Sequence, residues 1–151
     1  MDEYIKRLRK HIGNAPLLLV AAGAIIYKNR KILLQRRADS GKWAIHGGVL
    51  ELGETVEETV KRELNEEIGI NPIELKFYKV FSGEDMHTVY PNGDEVYYIN
   101  VIFLCDKYEG ELKEDNNEVT ELKWFDVDNL PVDINAPVDK AILSDIEKVL
   151  S

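Results

Sequence analysis

The sequence has almost no cysteine and no long apolar run, and each shortage narrows what the protein can be. Cys105 is the single cysteine among 151 residues, which excludes a disulfide framework and is typical of a reducing, cytoplasmic setting. No apolar run approaches the roughly 18 residues that a membrane-spanning helix needs, and the N-terminus lacks the apolar region of a signal peptide. We therefore expect a cytoplasmic protein without a membrane partner.

Positive charge is also in short supply. The chain has 19 Lys and Arg against 28 Asp and Glu, a formal net charge of −9. An acidic surface argues against binding to nucleic acid or to anionic lipid, because both depend on basic side chains. It leaves room for a phosphorylated small molecule, provided that metal cations supply the missing positive charge.

Hydrophobic residues make up 44% of the sequence, and no linker or repeat divides it, so we expect a single domain over residues 1–151. The apolar patterns predict an α/β fold, an α/β/α sandwich around a mixed sheet. The predicted elements are a helix at 2–12, strands at 17–27 and 31–37, a strand ending at Gly47-Gly48, a helix from Val56 to Ile68, strands at 73–81, 95–108 and 119–127, and a helix at 139–150.

The first helix has a basic cluster, which we interpret as a solvated face, with phosphate steering as the alternative. The cluster consists of Lys6, Arg7, Arg9 and Lys10.

The central helix has clear signals at both ends. Thr55 is a good N-cap, and Glu58 three residues later completes a capping box. Gly69 suits the position just after the last helical residue. The apolar residues recur every four positions and predict the buried stripe, which consists of Val56, Val60, Leu64 and Ile68.

The same helix has three carboxylates on neighbouring positions: Glu63, Glu66 and Glu67. On a helix their Cβ atoms would lie about 5–6 Å apart, and the charges would repel one another unless a cation were bound. Carboxylate oxygens suit Mg²⁺ or Mn²⁺. The alternative is a solvated acidic face that Lys61 and Arg62 make tolerable.

The residues around the helix favour the metal interpretation. Gly47 and Gly48 allow a close backbone approach and leave carbonyl groups free to act as ligands. Arg62 is four residues before Glu66, so it can orient a carboxylate. Glu54 lies just before the helix, where its dipole stabilises an anion.

Together these residues resemble the complete box of the MutT/Nudix hydrolases. The spacing is Gly48, five residues, Glu54, seven residues, and then Arg62-Glu63-Leu64-x-Glu66-Glu67-x-Gly69-Ile70. The surrounding elements extend the resemblance over roughly residues 17–150. The resemblance implies a Mg²⁺-dependent enzyme, with Mn²⁺ as a substitute, that splits the pyrophosphate of a nucleoside diphosphate linked to another group.

Carried over by position, the resemblance implies that Glu63 and Glu67 are the main metal ligands, assisted by Glu66 and the Gly47 carbonyl. Arg62 and Glu54 would be supporting residues. Some members of the family take a further glutamate from the loop before the last strand. That position is Glu118 here, followed by Glu121; both could also be polar residues at a strand edge. The general base stays open among Glu66, Glu67 and Glu118.

His46 stands where many members of the family have proline. We favour a structural role for its side chain over general acid–base catalysis.

The residues that determine the substrate lie outside the box. Arg37 and Asn135 resemble nucleotide-contact positions of the branch that cleaves nucleoside triphosphates, and both could equally be surface or turn residues. Residues 81–95 instead resemble a subgroup of bacterial Nudix proteins labelled as ADP-ribose pyrophosphatases, with Tyr90 or Phe81 available to stack on a base. These two resemblances imply different substrates, and the choice stays open.

Two other classes of function are weighed against hydrolysis. A non-catalytic nucleotide-binding or sensing domain would tend to have a degraded box and an added DNA-binding region. A structural domain with a fortuitous acidic helix would have no reason to fill every position of the box. Dimers are common in the family, so the resemblance also allows a homodimer.

Overall fold

The structure, a computed structural model, describes residues 3–114 and 117–150. The elements in chain order are α1 (Glu3–Ile12), β1 (Leu17–Lys28), β2 (Lys31–Arg37), β3 (Trp43–Ala44), β4 (His46–Val49), α2 (Val56–Ile68), β5 (Asn71–Pro72), β6 (Lys76–Phe81), a 3₁₀ turn (Glu84–Met86), β7 (His87–Val89), β8 (Glu95–Cys105), β9 (Tyr108–Glu109), β10 (Val119–Asp126), α3 (Val138–Ile142) and α4 (Ile146–Val149). Residue 2 of the first predicted helix lies outside the described residues.

The main sheet is mixed, as predicted. Its strands follow the order β10-β2-β1-β8-β6, and β3, β4 and β7 pair with β2, β1 and β8. The central strands β1 and β8 run parallel, with Leu17 opposite Val96 and Ile26 opposite Cys105. The other pairs of this sheet are antiparallel.

Helices cover both faces of the sheet. On one face α2 buries Val60, Leu64 and Ile68 against sheet residues such as Ala24 and Ile26. On the opposite face the C-terminal helices pack on the sheet, and the buried residues there include Ile25, Ile32, Ile102, Ile142 and Ile146. The result is the predicted α/β/α sandwich.

Helix α2 begins and ends where its sequence signals predict. The Thr55 hydroxyl accepts a hydrogen bond from the Glu58 N–H, and the Glu58 side chain accepts one from the Thr55 N–H. Gly69 has φ 75°, the left-handed conformation that glycine adopts at low cost. These two ends fix the length of the helix, and the packing of Val60, Leu64 and Ile68 on the sheet fixes which face presents the carboxylates.

The predicted helix at 139–150 is wrong as one continuous element. It is split into α3 and α4. At the break, the Ser144 hydroxyl donates to the Ala141 carbonyl at 2.9 Å, and the Ile146 N–H donates to the Leu143 carbonyl at 3.2 Å. Serine bonds of this kind compete with helical hydrogen bonding.

Two strand boundaries and one glycine position also need correction. Strand β6 begins at Lys76, so residues 73–75 of the predicted strand lie outside it. Strand β8 ends at Cys105, because Tyr108–Glu109 pairs instead with Asn71–Pro72 in a separate small sheet. Gly47 and Gly48 lie inside β4 rather than at the end of a strand, since they pair with β1.

Arg9 is not part of a solvated face. Its side chain is 13% exposed and donates to the carbonyls of Gly13, Ala15 and Glu95 at 2.9, 2.6 and 2.9 Å. Arg9 therefore connects α1 to the residues that follow it and to Glu95, the first residue of β8. Within the described residues, no helix is long and apolar enough to cross a membrane.

Candidate active site

Three glycines let β1, β4 and α2 approach closely. A Cβ atom on Gly47 would overlap the backbone of Ala22 and Gly23, and one on Gly23 would overlap the carbonyl oxygen of His46. A Cβ atom on Gly48 would instead overlap the carboxylate of Glu63. The glycine pair thus lets β4 lie directly beside both its partner strand and the acidic helix.

Glu67 is the most buried of the helix carboxylates, with 7% of the residue exposed. Its Oε1 accepts from the Gly47 N–H at 3.1 Å, and its Oε2 accepts from Gln35 Nε2 at 3.3 Å. Burial and the neighbouring charges of Glu63 and Glu118 raise the pKa of Glu67 to about 8, although the two hydrogen bonds act in the opposite direction. Two neutral donors hold this carboxylate, and no salt bridge reaches it within the described part of the chain.

The pKa of Glu63 is also raised. Its Oε1 accepts from Arg62 Nη1 at 2.9 Å. Burial raises the pKa of Glu63 to about 7, with smaller contributions from Glu66 and Glu118, and this outweighs the opposing effect of Arg62.

Arg62 joins the helix to the preceding loop. Its Nε and Nη2 donate to the two oxygens of Glu54 at 2.7 and 3.0 Å, and Nη2 also donates to the Val49 carbonyl at 3.3 Å. Glu54 also accepts from the Thr59 hydroxyl at 2.8 Å. The hydrogen bond from Arg62 is the main reason that the pKa of Glu54 falls to about 2.

The remaining predicted acidic residues are more exposed. The Glu66 side chain is 59% exposed and lies 3.5 Å from Arg62. Glu118 is exposed at the start of β10 and raises the pKa values of both Glu63 and Glu67. Glu121 instead lies 3.7 Å from Arg36. The structure therefore brings Glu118, and not Glu121, into electrostatic contact with the helix carboxylates.

The donor set suits a divalent cation without forming a closed cage. Within residues 3–114 and 117–150, no three His, Cys, Asp or Glu side chains converge as a ready metal site. Glu118 nevertheless raises the pKa values of both Glu63 and Glu67, and Glu63 raises that of Glu67. A bound Mg²⁺ would relieve this conflict, and its preferred ligands are oxygen atoms of this type.

A cleft of about 420 Å³ lies beside the acidic helix. It brings together the predicted metal-site residues Gly47 and Glu67 and the predicted substrate contacts Arg37, Tyr90 and Asn135. Phe81 is absent from the lining, and its ring packs 6.1 Å from that of Tyr78. The structure therefore does not bring Phe81 to the site.

Two polar pairs shape the cleft wall. Arg37 donates from Nε and Nη2 to the two oxygens of Asp39 at 3.0 and 2.8 Å, and this bond lowers the pKa of Asp39 to about 2. The hydroxyl groups of Tyr90 and Tyr98 share a short hydrogen bond, and burial is the main reason that the pKa of Tyr98 is raised.

Sequence reasoning missed two cleft residues, Gln35 and Asp139. Asp139 is 7% exposed and accepts hydrogen bonds from the Ile45 N–H at 3.0 Å and from Asn135 Nδ2 at 2.7 Å. Burial raises its pKa, against the lowering effect of these bonds. For Gln35 the missed signal was a polar residue in the apolar run Ile32-Leu33-Leu34.

His46 lies in the core rather than in the cleft chemistry. It is fully buried, and its Nε2 lies 3.0 Å from the Leu33 carbonyl oxygen. Burial lowers the pKa of His46 to about 4, so the ring is neutral near pH 7. This environment favours the structural role over proton transfer.

Comparison with known proteins supports a single family. The family model described as "NUDIX domain" matches residues 17–146. An ADP-ribose pyrophosphatase from Methanocaldococcus jannaschii is 40% identical over 130 residues, which cover 84% of this chain and 70% of that protein. The nucleoside triphosphatase NudI from Escherichia coli K12 is 32% identical over 127 residues, 78% of this chain and 89% of NudI.

Other relatives share the domain within a longer chain or share the fold. The NAD-capped RNA hydrolase NudC from Vibrio vulnificus is 34% identical over 77% of this chain, but the match spans only 40% of NudC. A MutT NUDIX hydrolase from Burkholderia pseudomallei superposes with a TM-score of 0.70 at 27% identity, covering 85% of this chain and 97% of that one. With its matched family model, its relatives and its sandwich fold, this chain belongs to the Nudix family, the hydrolases of phosphorus-containing acid anhydrides.

Proposed function

We propose that the protein is a Mg²⁺-dependent pyrophosphohydrolase that cleaves the diphosphate linkage of a nucleotide or a nucleoside diphosphate derivative in the cytoplasm. The observation that carries the proposal is the buried carboxylate of Glu67, which lines the cleft and is coupled to Glu63 and Glu118. Two neutral donors hold it. Carboxylates in such an arrangement are stable when a divalent cation shares them.

The cation would be held by Glu63 and Glu67, with help from Glu66 and the Gly47 carbonyl; Mn²⁺ would serve in place of Mg²⁺. When bound, the metal neutralises phosphate oxygens and lowers the pKa of a water molecule. The chain orients its own groups around that position: Gln35 and the Gly47 N–H hold Glu67 from two sides.

Arg62 and Glu54 brace the helix rather than react. The Arg62–Glu54 pair fixes the loop before α2, and a second Arg62 nitrogen holds Glu63. Glu118 and Glu66 are exposed enough to accept the proton of the attacking water and pass it to solvent. Of these two, Glu118 is supported by its effect on the pKa values of Glu63 and Glu67.

Two observations bear on the substrate and favour different molecules. The 40% identity to a protein named ADP-ribose pyrophosphatase favours an ADP-ribose-like substrate. Arg37 and Asn135 both line the cleft, and a relative is named as a nucleoside triphosphatase, which favours a nucleoside triphosphate. Tyr90 in the lining would contact a base or ribose in either case.

The test is a hydrolysis screen with ADP-ribose, nucleoside triphosphates and other nucleotide diphosphates, in Mg²⁺ and in Mn²⁺, read as phosphate released after phosphatase treatment. Glu67→Gln and Glu63→Gln should each lower turnover by more than about 100-fold, because even residues that only orient the ligands of a metal commonly contribute about 10–100-fold. Glu57→Gln is the control, since Glu57 is an exposed acid on the same helix.

Near-normal turnover in both variants would remove the metal assignment. No turnover across the whole panel, with nucleotide binding retained, would replace the enzyme with a nucleotide-binding or sensing domain.

A further inference from the structure

The backbone of Asn135 is fixed by two hydrogen bonds, and the orientation of its side-chain amide is what can still change. The backbone N–H donates to the Trp43 carbonyl at 2.8 Å, and the backbone carbonyl accepts from the Lys140 N–H at 3.0 Å. The side chain is half-buried and lines the cleft. An asparagine amide has nearly the same shape in its two flipped orientations, but it exchanges a donor for an acceptor when it flips.

Asp139 fixes that orientation. Its Oδ2 lies 2.7 Å from Asn135 Nδ2, and its Oδ1 is already occupied by the Ile45 N–H at 3.0 Å. An ionised carboxylate only accepts hydrogen bonds, so the amide must turn its NH₂ group toward Asp139. Burial raises the pKa of Asp139, but the hydrogen bonds from Asn135 and from the Ile45 N–H and the charge of Arg37 act against burial and stabilise the ionised form.

The consequence for the cleft is a fixed polarity. One N–H of the Asn135 amide donates to Asp139. The positions of the amide oxygen and of the second N–H relative to the cleft are therefore fixed. A ligand therefore meets a donor–acceptor order that cannot reverse without breaking a 2.7 Å hydrogen bond to a buried carboxylate.

We propose that Asp139 is a positioning residue that sets the base preference of the enzyme by locking the amide of Asn135 in one orientation. The proposal rests on the proposed function in one respect, that a nucleotide base occupies the part of the cleft lined by Asn135. The substrate class that fits is a nucleotide whose base edge has donors and acceptors in the order that complements the fixed Asn135 amide.

Adenine and hypoxanthine nucleotides are the matched probes, because their edges reverse the order of donor and acceptor with almost no change of shape. The measurement is the ratio of kcat/KM for ATP against ITP, and for ADP-ribose against its hypoxanthine analogue. The wild type should prefer one edge by about tenfold, the value of one well-formed hydrogen bond.

In Asp139→Asn the ratio should move toward one or invert, because the Ile45 N–H keeps the amide oxygen at position 139 as its acceptor, so the NH₂ group turns toward Asn135 and favours the flipped orientation. Asn135→Ala should bring the ratio close to one. In Asn135→Ala the further change Asp139→Asn should have no effect on the ratio, since Asp139 acts through the amide.

A purely structural Asp139 would lower the melting temperature and turnover equally for both bases, leaving the ratio unchanged; that result would overturn the proposal. So would a wild-type ratio near one, an unchanged ratio in Asn135→Ala, or a further change from Asp139→Asn after Asn135 is removed. If Asp139→Asn does not fold, Asn135→Ala still gives a result that can overturn the proposal: an unchanged ratio would show that the amide which Asp139 is proposed to orient does not read the base.

Measuring the same ratio as nucleotide affinities without metal separates this proposal from the proposed function. Absence of hydrolysis with retained base preference would contradict only the hydrolase, whereas hydrolysis without base preference would contradict only the role of Asp139.

Discussion

Arg62 holds the carboxylate of Glu54 through two hydrogen bonds of 2.7 and 3.0 Å, while a third nitrogen of the same guanidinium lies 2.9 Å from Glu63. One planar group therefore connects the loop before α2 to a proposed metal ligand. Arginine forms this fork with fixed geometry, and lysine cannot reproduce it.

We expect Arg62→Lys to keep the charge but lose the fork. Turnover should fall by roughly 10–100-fold, the usual effect of removing a group that orients a metal ligand, with a small change in the unfolding temperature. Steady-state kinetics across a Mg²⁺ titration measures this. Lys61→Arg, an exposed neighbour, is the control; equal turnover in both variants would contradict the bracing role.

Glu54 should make stability depend on pH in the acid range. Its pKa is lowered from 4.5 to about 2, chiefly by the hydrogen bond from Arg62. The stabilisation is present above about pH 4.5 and is lost as the pH falls toward 2. Urea unfolding from pH 6 to pH 2 should show a shallower loss for Glu54→Gln than for the wild type, and identical slopes would contradict the pairing.

Glu67 should give the opposite dependence. Its pKa is raised from 4.5 to about 8, mainly by burial. Its contribution to the free energy of unfolding of the metal-free protein is therefore present below pH 4.5 and is lost as the pH rises toward 8. Mg²⁺ should offset the loss, and the metal-induced rise in melting temperature should grow from pH 5 to pH 8.

In Glu67→Gln both the pH slope and the effect of Mg²⁺ on the melting temperature should shrink. A variant with the full wild-type response to Mg²⁺ would show that the cation binds elsewhere.

Alanine substitutions in the glycine pair should separate chemistry from folding. At Gly48 the added methyl group meets the Glu63 carboxylate, a movable side chain, whereas at Gly47 it meets the backbone of Ala22 and Gly23. Gly48→Ala should fold and lose most turnover. Gly47→Ala should lose about 1–3 kcal/mol or more of unfolding free energy, the usual cost of overpacking. Chemical denaturation and kinetics of the two variants decide between these outcomes, and an active Gly48→Ala would count against the position of Glu63.

His46 should be silent in the pH–rate profile. Its pKa is lowered to about 4 because the ring is fully buried. We expect His46→Asn to lower the melting temperature, because the ring fills part of the core, while the pH values at which kcat changes stay the same. His87→Asn is the control, since His87 is half-buried and lies outside the cleft lining. If one of the pH transitions in kcat disappeared in His46→Asn but not in His87→Asn, His46 would have a catalytic role.

The sequence was most informative where local chemistry determines structure. Thr55 and Gly69 mark the ends of α2 because caps act within one helical turn, and β2 spans residues 31–37 as predicted. The helix predicted at 139–150 was wrong because the apolar spacing continues through Ser144, and nothing in that spacing reveals the hydroxyl bond to Ala141.

The composition of the cleft was harder to predict, because it depends on contacts between distant residues. Asp139 and Ile45 are 94 positions apart, and Gln35 and Glu67 are 32 positions apart. Motif positions found the acids of the helix, yet they could not show which neighbours hold Glu67. They also placed Phe81 at a site where its ring does not lie.

The parallel pairing of β1 with β8 has a consequence for how the protein is made. The register joins residues 17–26 to residues 96–105, so the centre of the sheet cannot close until residue 105 has left the ribosome. Pairings between such distant segments form slowly, because the loop between them must first be ordered. We therefore expect β1 to lack its parallel partner, with its apolar residues exposed to chaperones, until β8 has been synthesised.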